Sequence, residues 1–145
     1  MSPEDISARL DISAPFLMID SFEITEAGQA ARATKHLHED DWYFAAHLPA
    51  SRVMPATLLT EAMLQTLVLL IYDSVDHGAH RSFIHDIAVK MLNAGKPGQN
   101  VVLDARLLSF KRGIAKGEVV ASADGKVLAK GAFSYASPHL MARPS

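Results

Sequence analysis

The 145-residue sequence contains no cysteine, which excludes disulfides, thiolate nucleophiles and thiolate-held zinc. Its longest uninterrupted apolar run, Leu67 to Ile71, falls far short of the ~20 residues that a bilayer span needs. No repeat, low-complexity tract or Pro/Gly-rich linker divides it, so residues 1–145 read as a single domain. There is no Gly-rich phosphate loop and no stretch of interleaved basic and aromatic residues, so a nucleic-acid partner is not expected. Ser2-Pro3-Glu4-Asp5 is acidic where a secretory signal is basic, and a soluble cytoplasmic protein without membrane association is the default expectation. The histidine groups His36/His38 and His77/His80/His85 lack an acidic or sulfur ligand at a recognised spacing, so no metal is expected.

What is present is ordinary globular material, 49% apolar. Net charge is only −2, yet residues 1–76 hold 12 acids and 4 bases while residues 77–145 hold 4 acids and 10 bases. A local basic face suits an acidic partner. Lysines and arginines that guard a sheet edge give the same count.

The chain opens with helix-start chemistry: Ser2 as cap, Pro3 in the first turn, acids behind it. Phe16 to Thr25 and Ala30 to Leu37 read as strands around a turn at Glu26-Ala27-Gly28-Gln29. Asp40 to Phe44 reads as a short helix or an aromatic loop. From Pro55 to about Asp73 the sequence is apolar on nearly every side of a helix, the pattern of a buried helix. Gly78 is the expected helix stop, with His77 and His80 near the C-terminal dipole. Afterwards the period becomes two. Phe83–Leu92, Val101–Phe110, Ile114–Ala123 and Lys126–Tyr135 read as strands, and Asp124-Gly125 as a hairpin turn. In the last hairpin Ala115, Gly117, Val119, Ala121, Val127, Ala129, Gly131 and Phe133 share the inward face. Lys116, Glu118, Ser122 and Lys130 share the other. The expected fold is α+β: a curved antiparallel sheet wrapped around one long buried helix.

Two residues carry chemical potential. His47 lies in a loop stiffened by Pro49 and Pro55; Glu61 lies two turns into the apolar helix. An imidazole and a carboxylate facing one pocket can take a proton from one atom and deliver one to another. Free N–H groups at the helix start, including that of Ala56, can hold an oxyanion. A solvated histidine and a carboxylate paired for structure fit the same residues, and the spacing alone leaves both readings open.

The segments Ala46-His47-Leu48-Pro49-Ala50, Val53-Met54-Pro55-Ala56 and Glu61-Ala62-Met63-Leu64-Gln65 resemble the core motif of the FabZ/FabA-type 3-hydroxyacyl-acyl-carrier-protein dehydratases. The His-to-Glu spacing is the same. Pro15 to Asp20, Arg112-Gly113-Ile114 and Asp124-Gly125-Lys126 extend the similarity over roughly Pro15 to Ala136. Three positions where the family carries glycine hold Ala46, Ala50 and Ala56. Leu48 replaces an aromatic residue, and Ser51-Arg52 replaces Arg-Pro.

The resemblance implies the hotdog fold and dehydration of a 3-hydroxyacyl thioester, in fatty acid synthesis or a specialised polyketide-type pathway. His47 would abstract the C2 proton, Glu61 would protonate the departing C3 hydroxyl, and the Ala56 N–H would polarise the thioester carbonyl. Phe44, Met54, Leu58 and Gln65 would line the acyl tunnel. The partner would be an acyl carrier protein bearing a phosphopantetheine-linked substrate, docked on basic residues drawn from Arg81, Lys96, Arg106, Lys111 and Arg112. Family members are homodimers or larger, including trimers of dimers, with His from one subunit and the acid from the other. No cofactor is implied. A hotdog thioesterase, an enoyl isomerase and a non-catalytic carrier-binding subunit are the alternatives.

Overall fold

The computed structural model describes residues 1–77 and 80–141. Helix α1 (Pro3–Leu10) begins at Ser2, whose Oγ accepts from the Asp5 N–H while the Asp5 carboxylate accepts from the Ser2 N–H. This reciprocal capping satisfies two donors that the helix start leaves free. Strands β1 (Ser21–Glu26) and β2 (Ala30–His36) form a hairpin. A short helix, α2 (Trp42–Ala46), and the long helix α3 (Ala56–Ser74) follow. Four strands complete the chain: β3 (Phe83–Met91), β4 (Asn100–Lys111), β5 (Ile114–Ala123) and β6 (Lys126–Ala136). They form one antiparallel sheet in the order β1-β2-β4-β5-β6-β3. The sheet wraps α3, whose residues Ala62 to Tyr72 are all buried. This is the hotdog arrangement.

Helix α3 is as long and apolar as a membrane span, unlike the short run from Leu67 to Ile71. Two-thirds of its length lies inside the protein, which makes it a core helix. Small residues on β5 and β6 allow this close approach. A Cβ on Gly117 would lie 2.5 Å from Leu67 Cδ1, and one on Gly131 would meet the Phe133 ring and Met63.

Three expectations are corrected. The first strand begins at Ser21, not Phe16. Phe16 to Asp20 is irregular because its backbone bonds to a side chain of α3: Gln65 accepts from the Met18 N–H at 2.8 Å and donates to the Phe16 carbonyl at 2.9 Å. On β6, Leu128 is buried and Val127 only half-buried. The register shifts between Ala121 and Ser122, so the inserted residue turns the alternation over. Helix α3 ends at Ser74 with Val75 as its cap at φ −130°, a conformation that needs no glycine. Gly78 itself lies outside the described residues.

The opposed charges of the two halves interleave on the folded surface. Arg32 meets Asp104 at 2.7 Å and Arg106 meets Glu26 at 3.2 Å. Of the histidines His36 and His38, the second is exposed, while His36 is half-buried and its Nδ1 lies 2.6 Å from Asn100 Oδ1.

The two edges of the sheet differ. Strand β1 is short and presents Glu23 and Glu26. Strand β3 is nine residues long and exposes Phe83, Ile84, Ile87 and Met91. A long apolar edge with a free backbone ladder is a template for another strand.

Candidate active site

His47 caps the C-terminus of α2, where extended backbone ends the helix and its N–H donates to the Tyr43 carbonyl at 3.0 Å. Buried Tyr43 and Phe44 anchor α2 to the core, and the Tyr43 hydroxyl donates to Asp41 at 2.8 Å. The chain then turns sharply. Ser51 and Arg52 both donate to the Leu48 carbonyl, and the Arg52 guanidinium donates to the Glu39 carbonyl at 2.7 Å. The Met54 N–H donates to Gly95 O at 2.8 Å and ties the loop to the segment after β3.

The left-handed residues of this loop are Leu48 (φ 48°) and Arg52 (φ 51°). Ala46, Ala50 and Ala56 all lie outside that region, so alanine in place of glycine costs no backbone strain there.

Pro55 precedes α3 without a side-chain cap. Its carbonyl takes the Leu58 and Leu59 N–H groups, while those of Ala56 and Thr57 donate to none of the described residues. Exposed His47 and exposed Ala56 share the wall of a cavity of about 370 Å³, with Met54, Leu59 and the Met91–Gly95 segment.

Glu61 faces elsewhere. Five residues beyond Ala56 is about 7.5 Å along the axis and roughly 140° around it. Its carboxylate lines a second cavity of about 290 Å³, with Gln65, Tyr72, Arg81, Ser82, Phe83 and Tyr135 among its walls. Glu61 is half-buried rather than sealed in the core. Burial raises its pKa, and a 3.0 Å hydrogen bond from Gln65 Nε2 opposes that shift. Gln65 is fixed by the same Met18 and Phe16 backbone groups that displace the first strand. An acid held toward its protonated form by burial is suited to proton donation.

One chain therefore keeps His47 and Glu61 in separate cavities. Of the residues assigned to a tunnel, Met54 lines the first and Gln65 the second. Phe44 is packed in the core and Leu58 is half-buried; neither lines these two cavities. Tyr72, Ser82 and Tyr135 were not legible as site residues. Tyr135 reads as the end of an alternating strand and Tyr72 as one more apolar position of a buried helix. Among the described residues no group of three or more His, Asp or Glu side chains is placed to hold a metal ion.

Residues 12–132 match the model of the FabA-like domain. A 3-hydroxyacyl-[acyl-carrier-protein] dehydratase FabZ of Ruminiclostridium cellulolyticum is 31% identical over 137 residues, 94% of this chain and 96% of the relative. A protein of the same name from Acetivibrio thermocellus is 32% identical over 123 residues, 84% of each chain. Among solved structures, zebrafish thioesterase superfamily member 2 superposes with a TM-score of 0.71 at 16% identity, covering 93% of this chain and 94% of its own. A conserved protein of Pseudomonas aeruginosa gives 0.67 at 21% identity, covering 89% and 96%. These two share the hotdog fold. The family match across most of the sequence and the relatives above 30% identity show that the chain belongs to the FabA-like family.

Proposed function

We propose that this protein removes water from 3-hydroxyacyl thioesters carried on an acyl carrier protein, giving 2-enoyl thioesters for fatty acid or polyketide-type synthesis. It works as one hotdog domain, residues 1–145, in the cytoplasm, in a homodimer or a larger assembly of dimers. One observation carries the reading: the two reactive side chains lie in cavities walled by opposite ends of the same edge strand. Met91 to Asn93, at the end of β3, wall the His47 cavity; Ser82 and Phe83, at its start, wall the Glu61 cavity. Antiparallel pairing of β3 with its copy about a two-fold axis sets the start of one strand beside the end of the other. Each His47 cavity then adjoins the partner's Glu61 cavity.

In such a composite site His47 removes a C2 proton as its electrons move toward the C1 carbonyl. The Ala56 N–H at the helix start stabilises the charge that develops on that oxygen. The electrons return to form the C2–C3 double bond, and protonated Glu61 gives its proton to the departing C3 hydroxyl, which leaves as water. No organic cofactor or metal takes part in these steps.

Mass spectrometry of a 3-hydroxyacyl carrier protein incubated with the enzyme tests the reading. Loss of one water supports it, and release of free thiol instead identifies a thioesterase. Binding of the acyl carrier without turnover identifies a non-catalytic subunit.

A further inference from the structure

The Glu61 cavity continues beyond the reacting carbons. Glu61, Gln65, Val68 and Tyr72 all line it, and their spacing of four, three and four residues forms a single ridge about 16 Å long on α3. At its far end stand Tyr72, Ser82 and Arg81. Arg81 is half-buried, and its guanidinium lies 5.9 Å from the centre of the Tyr72 ring. Asp11 and Glu61 are the carboxylates on the same wall, and among the described residues no carboxylate forms an ion pair with Arg81. Ser82 is committed elsewhere, its N–H to the Tyr72 hydroxyl at 3.1 Å and its hydroxyl to Ser137 at 2.6 Å. The cavity thus ends in a cation that has no ion-pair partner among the described residues, rather than in apolar side chains.

We propose that Arg81 selects acyl chains whose distal end carries a carboxylate. This rests on the dehydratase reading, which fixes the direction of the substrate. The thioester carbonyl sits at the Ala56 N–H and the C3 hydroxyl at Glu61. The carbons beyond C3 therefore run up the ridge toward Arg81, while the pantetheine arm with its phosphate leaves from the opposite side of C1. A guanidinium presents a planar fork of donors that matches a carboxylate in two-point contact. A methyl terminus leaves that fork desolvated without an acceptor, which is how a polar subsite rejects an apolar analogue.

The test separates binding from turnover. Saturated acyl thioesters of N-acetylcysteamine lack both the 3-hydroxyl and the phosphate, so neither dehydration nor the phosphate contributes. Calorimetry compares an ω-carboxylate chain with the equally long ω-methyl chain on wild-type protein, Arg81→Met and Arg81→Lys. The expected result is at least tenfold tighter binding of the carboxylate chain by wild type. Arg81→Met should lose that preference while still binding the methyl chain, which certifies its fold; Arg81→Lys should keep part of it. Equal affinities in wild type, or an unchanged ratio in Arg81→Met, overturns the assignment. So does an Arg81 effect that emerges only with phosphopantetheine thioesters, which places the anion at the other end of the substrate. Turnover of the matching 3-hydroxyacyl compounds by wild type reports separately on the dehydratase reading.

Discussion

Glu61 shows how a residue's surroundings set its chemistry. Burial raises its pKa and Gln65 holds its carboxylate in one position. Folding therefore favours the protonated form. That contribution is complete below the unfolded-state pKa and is lost as pH rises through the folded-state value. Glu61→Gln, a neutral side chain of the same shape, should melt at a higher temperature than wild type at neutral pH. The gap should close as pH falls toward the ordinary glutamate range. Thermal melts across pH check this, and a lower Tm for the variant at neutral pH would refute it. His47 and Glu61 are legible in the sequence because a carboxylate interrupts an apolar helix and a histidine opens the loop that carries Pro49 and Pro55. The role of Gln65 is not legible, since its bonds reach back 47 and 49 residues to an irregular segment. Which loop residues are left-handed is not legible either: they are Leu48 and Arg52, not the alanines that stand where the family carries glycine.

At the scale of elements, close packing of sheet on helix decides which residues are tolerated. Gly117 has no room for a side chain: an added Cβ would lie 2.5 Å from Leu67 Cδ1 and 2.9 Å from the Arg106 carbonyl. Gly117→Ala should destabilise the protein by about 1–3 kcal/mol through overpacking. Urea titration should show a lower midpoint with an unchanged slope. The period-two pattern makes β3 to β6 legible, and the all-round apolarity of Leu58 to Ile71 makes α3 legible. The inward turn of Leu128 is hidden because a register shift depends on both strands and leaves no mark in the local alternation. The late start of β1 is hidden for the same kind of reason: Met18 and Ile19 are apolar because they are buried, not because they are paired in a sheet.

The whole molecule presents an unfinished edge. Ile87 lies at the middle of β3 and is 48% exposed. A charge there costs a lone chain little but faces its own copy in a two-fold strand pair. Ile87→Asp should keep its circular dichroism spectrum, sediment as a monomer and lose dehydration at least 100-fold. A variant that sediments as a monomer yet retains full activity would dissociate catalysis from assembly. The sequence gives no direct sign of this edge, because strand order is set by long-range pairing and β3 alternates no differently from its neighbours. Its exposure becomes visible only once β6 occupies one side and nothing described occupies the other.

In the proposed assembly His47 of one subunit and Glu61 of another act on one substrate. Subunit complementation tests it most directly: inactive His47→Ala and inactive Glu61→Gln proteins are mixed in equal amounts, allowed to exchange subunits, and assayed for dehydration of a 3-hydroxyacyl carrier protein. Random exchange makes half of the dimers mixed, and each mixed dimer has one of its two sites intact, so about a quarter of wild-type activity should return. A mixture that has exchanged subunits and remains as inactive as its parents would show that no site is shared between subunits.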